Sequence, residues 1–179
     1  MDLLDAVVLS MLLSVPRARR VLQPRRSDGD DVRQESLPSP DGLLARMHAS
    51  RDALQPELEE ATRQASRLLR LAANRGLTPL VFDTPGYPAV LAAIPDPPPV
   101  LWCRGTTRVL GSPAVAIVGS RAGSRYALEV AAQLGSELAG RGVTVVSGLA
   151  RGVDASAHRG ALDVGGQPVA VLGCGVDVV

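Results

Sequence analysis

At 179 residues and 46% apolar composition, the chain is long enough for one substantial domain plus a small one, which excludes a disordered tail. All 19 basic residues are Arg, and 18 acidic residues nearly cancel them. Bulk charge therefore selects no partner, and any anion site must arise from local geometry.

The opening stretch, "MDLLDAVVLSMLLSV", is apolar, but Asp2 and Asp5 stand where a signal peptide needs basic residues. It reads as a helix. No run approaches the roughly 18 apolar residues needed to cross a bilayer, so no membrane association is expected. Residues 1–77 are expected to be a helical region, with further helices over "GLLARMHA" and "PELEEATRQASRLLRLAANRG". The latter opens with Pro and acids and closes with Arg and Gly, matched start and stop signals. Between the first two helices, "PRRSDGDDVRQESLPSPDG" has too little apolar surface to offset its ordering entropy and reads as a mobile loop.

From Thr78 the texture changes. The stretch "LTPLVFDTPGYPAVLAAIPDPPPVLWCRG" holds seven prolines in 29 residues, which forbids a long helix and favours short extended pieces around turns. Residues 78–112 are expected to be a lead-in packed on the core, with "PVLWC" as a strand and Trp102 as a packing residue.

The last third, residues 113–179, alternates apolar strands with helices. "AVAIVGS", "VTVVSG" and "PVAVLGCG" are strands, while "SRYALEVAAQLGSELAGRG" and "VDASAHRGALDVGG" are helices ending in Gly142 and Gly165. The expected fold class is α/β, a Rossmann-like parallel sheet with helices on both faces, incomplete at the C-terminus and preceded by the small helical region. Right-handed crossovers bring every strand-to-helix turn to one sheet edge, where ligands bind in such folds. Cys103 and Cys174, in or beside strand-like segments, are expected to be buried thiols in a reducing, cytoplasmic protein.

Three small-residue turns meet at that edge: Gly119, Ser120 and Arg121 with Ser124 nearby; Ser147, Gly148, Arg151 and Gly152; and Gly173 and Gly175. Glycine-rich turns feeding helices expose N–H groups beside the positive end of the helix dipole, and Arg grips phosphate bidentately. The turns lack G-x-G-x-x-G, a P-loop lysine and an acidic ribose-binding residue, so no cofactor is expected. Asp154 and His158 are i,i+4 neighbours. With no nucleophile or metal set beside them, they read as supports: Asp154 capping the helix and fixing backbone amides and Arg151, His158 as its packed partner. His48, on an Arg-bearing helix, is expected to be solvated.

The motifs GSR, SGLARG-V-D-x-x-AH and LG-x-G-V-D, in order on successive strands of 113–179 and preceded by "FDTPGYPAVLAAIPDPPPVLWCRG", closely resemble the DNA-processing protein A family, DprA/Smf. The resemblance spans about residues 78–179. It implies a non-enzymatic protein that binds and protects single-stranded DNA and helps load RecA recombinase in natural transformation, with Gly119, Ser120 and Arg121 gripping phosphate and the 147–152 turn as the second wall. Aromatic stacking platforms are scarce, the aromatics being Phe82, Tyr87, Trp102 and Tyr126, so phosphate contacts are expected to dominate. Family chains continue past "GVDVV" into a Tyr-Pro turn and further elements, so this chain reads as a truncated part. The family's homodimer and RecA loading are accordingly in question, and without a G-x-G hairpin the N-terminal helices suit packing or assembly better than DNA contact. The alternatives are a Rossmann-like nucleotide sensor or nucleoside monophosphate hydrolase, which would need a "PGG-x-GT" loop absent here, and a non-functional remnant.

Overall fold

The computed structural model describes residues 1–22 and 39–176, which form two compact units, Met1–Gly105 and Thr106–Val179. The stretch expected to be a mobile loop lies outside the described residues except for 39–42, which open a helix.

In the first unit, α1 (Leu3–Ser14), α2 (Pro16–Leu22), α3 (Pro40–Ala49) and α4 (Gln55–Asn74) surround a common core. Asp2 caps α1 by accepting the Asp5 N–H at 2.8 Å. Ala6, Val7, Val8, Leu9 and Leu12 of α1 are buried, as a helix that is apolar nearly all round requires. The proline-rich segment joins this unit. Its strands β1 (Leu77–Val81) and β2 (Val100–Arg104) pair antiparallel, with the short α5 (Ala89–Ala92) between them. Pro79 sits within β1 opposite Trp102. Each strand of a two-stranded sheet keeps a free edge, so the missing N–H is tolerated. Trp102 packs half-buried against the helical core. Phe82 and Tyr87 make an edge-to-face pair at 5.7 Å, and the Tyr87 hydroxyl donates to the Pro98 carbonyl at 2.8 Å.

The second unit contains β3 (Ala114–Ala116), α6 (Arg125–Gly140), β4 (Thr144–Ser147), α7 (Val153–Asp163) and β5 (Val169–Ala170). The strands are parallel in the order β3-β4-β5, with Val115 opposite Val145 and Val146 opposite Val169. The outer strands are shorter than their apolar runs, because each has a single partner. Hydrogen bonds from Ile117 N to the Val146 carbonyl (2.9 Å) and from Val171 N to the Ser147 carbonyl (2.8 Å) prolong the pairing at their carboxyl ends.

Helices α6 and α7 pack backbone to backbone. A Cβ on Gly160 would lie 2.7 Å from the Ala132 carbonyl carbon, and one on Gly135 would lie 3.1 Å from that of Ala157. Ala131, Val145, Ala157 and Ala161 form one buried cluster, so both helices cover the same face of the sheet. Helices on both faces were expected, but among the described residues of this unit only one face is covered. The strand order never reverses between β3 and β5, so two right-handed crossovers must fall on the same side. By the alternation of strand side chains, Val118 and Val171 project from the other face, where they are 72% and 63% exposed.

Candidate functional site

The turns leaving β3 and β4 are locked together at the carboxyl edge of the sheet, and Asp154 is the lock. From the first turn of α7 its Oδ1 accepts the Gly119 N–H and its Oδ2 accepts the Gly148 N–H, both at 3.2 Å. One carboxylate thus spans the two turns. Burial raises the Asp154 pKa, but hydrogen bonds from the Gly119, Ala150 and Gly148 backbone outweigh it and hold the carboxyl below its ordinary range. Asp154 was expected to cap its own helix and to fix backbone amides and Arg151, and of these it does hold backbone amides, those of Gly119 and Gly148. The N-cap is instead Gly152, with no side-chain cap bond, and the carboxylate reaches back across the turns.

Shape reinforces the lock. Gly152 has φ +94°, and a Cβ there would lie 2.8 Å from the Arg121 carbonyl oxygen, so the second turn is pressed against the backbone of the first. The Val153 N–H donates to the Ser120 carbonyl at 3.2 Å. Gly119 leaves room for the Val153 side chain, which a Cβ would meet at 2.8 Å. Leu149 completes the second turn at φ +56°, left-handed backbone that an L residue adopts only at a cost, and it is 53% exposed. The residue types at Val153 and Leu149 carry no chemical signal, and sequence reasoning passed over both.

The expected site residues divide sharply between surface and interior. Arg121 and Arg151 are exposed and have no ion-pair partner among the described residues. Ser120 is exposed, and its Oγ accepts the Ala122 N–H at 3.1 Å. Ser124 caps α6, its Oγ accepting the Ala127 N–H at 3.2 Å. Ser147 is buried, and its hydroxyl donates to the Ile117 carbonyl at 2.6 Å, tying β4 to the end of β3. Gly148 is exposed, but its N–H, like that of Gly119, is committed to Asp154. Gly173 and Gly175 lie exposed beyond β5, where the Val171 carbonyl comes within 3.8 Å of a Cβ placed on Gly148.

His158 is buried on α7, and its Nε2 has no hydrogen-bond partner. Burial lowers its pKa and the Asp154 charge raises it, with a net downward shift that keeps the ring neutral. No hydrogen bond joins it to Asp154. Cys103 is half-buried, and burial raises its thiol pKa. Cys174, expected to be buried, is exposed, because β5 ends at Ala170 and leaves it in the following turn. His48 is exposed, as expected. Among the described residues no group of three His, Cys, Asp or Glu side chains could hold a metal, and no helix is long and apolar enough to cross a membrane.

A parallel sheet whose glycine-bearing turns converge at its carboxyl edge defines a Rossmann-like α/β domain. The model of the family "DNA recombination-mediator protein A" matches residues 78–179, more than half of the chain, and the chain belongs to that family. Protein Smf of Synechocystis is 42% identical over 107 residues, covering 58% of this chain and 26% of that protein. Among solved structures, DNA processing protein A of Streptococcus pneumoniae aligns with a TM-score of 0.58 and 26% identity over 97% of this chain and 55% of its own. DNA processing protein A of Helicobacter pylori, studied for its single-stranded DNA binding mode, aligns with a TM-score of 0.51 and 33% identity over 57% of this chain and 45% of its own. The chain thus spans about a quarter of that Smf protein and about half of the solved relatives.

Proposed function

We propose that this chain is a non-enzymatic, single-stranded DNA-binding module, the backbone of the strand tracking across the turns after β3 and β4. The observation that carries this reading is the commitment of Asp154. Its carboxylate occupies the Gly119 and Gly148 N–H groups, which a mononucleotide phosphate entering the turns would need. A buried negative charge beneath the turns also repels an anion that penetrates deeply. Attraction is left to the exposed Arg121 and Arg151, which have no ion-pair partner among the described residues, an arrangement suited to phosphates that pass over a surface.

Catalysis has little to draw on at this edge. The Asp154 carboxylate is saturated with donors, the Ser147 hydroxyl is spent on a carbonyl, and His158 is buried and neutral. Family membership and the Helicobacter relative's single-stranded DNA binding support the same reading. Within it, the chain protects incoming strands in the cytoplasm and, with the remainder present in longer relatives, forms homodimers and hands the strand to RecA.

The test is binding of a labelled single-stranded oligonucleotide across a salt series. Arg121→Ala is expected to weaken binding with little sequence bias and to flatten the slope of log affinity against log salt by about 0.7–1. Unchanged affinity and slope remove Arg121 from the interface. Micromolar binding of a mononucleotide, with no binding of the strand, overturns the reading as a whole.

A further inference from the structure

Resting on the single-strand reading, we infer that Tyr126 is a stacking platform for a nucleobase beside the phosphate-tracking turns. The four aromatic side chains have sharply different surroundings. Phe82 and Tyr87 pack on each other, Tyr87 also spends its hydroxyl on Pro98, and Trp102 packs on the helical core. Tyr126 alone is left on the surface. It is 76% exposed, and its hydroxyl makes no hydrogen bond among the described residues.

Its position gives that exposure a use. Tyr126 is in the first turn of α6, two residues past the Ser124 N-cap and just beyond the turn that carries Arg121. Helical Cα–Cβ bonds tilt toward the N-terminus, so the ring leans over the turn N-terminal to it rather than along α6. A strand whose phosphates are held at Arg121 carries its bases to one side of that track, and a ring adjacent to the track offers a face to any of them. Tyr has few rotatable bonds to immobilise, and its π face accepts every base, so the contact adds affinity without sequence preference. At 76% exposure the ring contributes little apolar burial to folding.

The experiment measures affinity of the full chain for an ordinary single-stranded oligonucleotide and for an abasic strand of the same length, over a salt series. Tyr126→Ala is expected to weaken binding of the ordinary strand by about 5- to 150-fold, the range of one base–aromatic stack. The abasic strand should be unaffected and the salt slope unchanged, because stacking releases no counterions. Tyr126→Phe should retain wild-type binding and Tyr126→Leu should lose it, separating a ring from mere apolar bulk. Equal effects of Tyr126→Ala on both strands, or none on either, overturn this inference while leaving the phosphate interface standing. Failure of the wild-type chain to bind either strand overturns the single-strand reading and this inference with it.

Discussion

Replacing Asp154 with Asn removes the charge that joins the two turns while keeping the shape of the side chain. The carboxylate accepts two backbone N–H groups at 3.2 Å from a site only 6% exposed. Hydrogen bonds to a charged group contribute about 1.5–3 kcal/mol each, and a buried N–H left without an acceptor costs about 1–3 kcal/mol. Asn retains one acceptor oxygen and turns its NH2 toward the other donor, so one bond survives in weakened form and one is lost. The expected cost is about 2–4 kcal/mol, a large part of the roughly 5–15 kcal/mol that stabilises a typical domain. Because the chain has two units, a global unfolding midpoint mixes them, and native-state amide exchange at neutral pH is the sharper assay. Gly119 and Gly148 should lose protection in Asp154→Asn by more than the amides of α6. The pH dependence follows from the lowered carboxyl pKa. The folded state binds the Asp154 proton less readily than the unfolded chain does, so the stabilisation is fully present above the unfolded value of about 3.9 and is lost as pH falls through the lower folded value. The gap between wild type and variant should therefore be constant from neutral pH down to about 5 and shrink below about 4. Unaltered protection at Gly119 and Gly148 in the variant would refute the lock.

Gly160→Ala should destabilise the second unit by about 1–3 kcal/mol, as overpacking does in a tight interior, since the added methyl would be driven into the Ala132 backbone of α6; urea unfolding followed at α6 and α7 amides reads this. Leu149→Gly should leave stability unchanged or raise it by up to about 1 kcal/mol. Relief of left-handed strain is worth about 1–2 kcal/mol and the added freedom of the unfolded chain costs about 0.5–1 kcal/mol, and a side chain 53% exposed gives up little packing. A clear loss of stability in the same unfolding assay would mean that Leu149 packs more than its exposure indicates.

The second unit was legible because its signals are local. Each apolar run, 114–120, 143–148 and 168–175, marks a strand, and the glycines after each helix mark the stops, so element order and parallel pairing followed directly. The side on which the helices lie depends on strand order, which no local pattern contains, so nothing local shows that both described helices of this unit share one face. The same limit applies to Gly135 and Gly160. Inside a helical pattern they read as weak points, and only the opposing Ala157 and Ala132 backbones show that they permit close approach. At the site, the residue types were legible and their partners were not. Ser147 and Asp154 flank a turn rich in polar groups, and nothing in their spacing shows that one hydroxyl serves Ile117 or that one carboxylate serves amides in the turns after two different strands. Pro79 hid β1 by the ordinary rule against proline in strands, a rule that a two-stranded sheet relaxes.

The arrangement at the sheet edge also bears on how a strand would be held. Leu149 and Gly152 are both at positive φ, and such backbone persists only where its surroundings determine it. Here the determinants are the Asp154 bonds, the contact of Gly152 with the Ser120–Arg121 backbone and the fit of Val153 against Gly119. All of them lie within the second unit and none needs a ligand, so the turns are ordered before anything binds. The Arg121 and Arg151 side chains, by contrast, are exposed, with no ion-pair partner among the described residues. A guanidinium loses less freedom per bond formed than a lysine would, and can meet a phosphate in two parallel hydrogen bonds. On the proposed function, a rigid floor with exposed cationic arms would let an irregular single strand be gripped at successive phosphates without distorting the protein. The cost of binding then falls on ordering the strand and two side chains rather than on folding a loop.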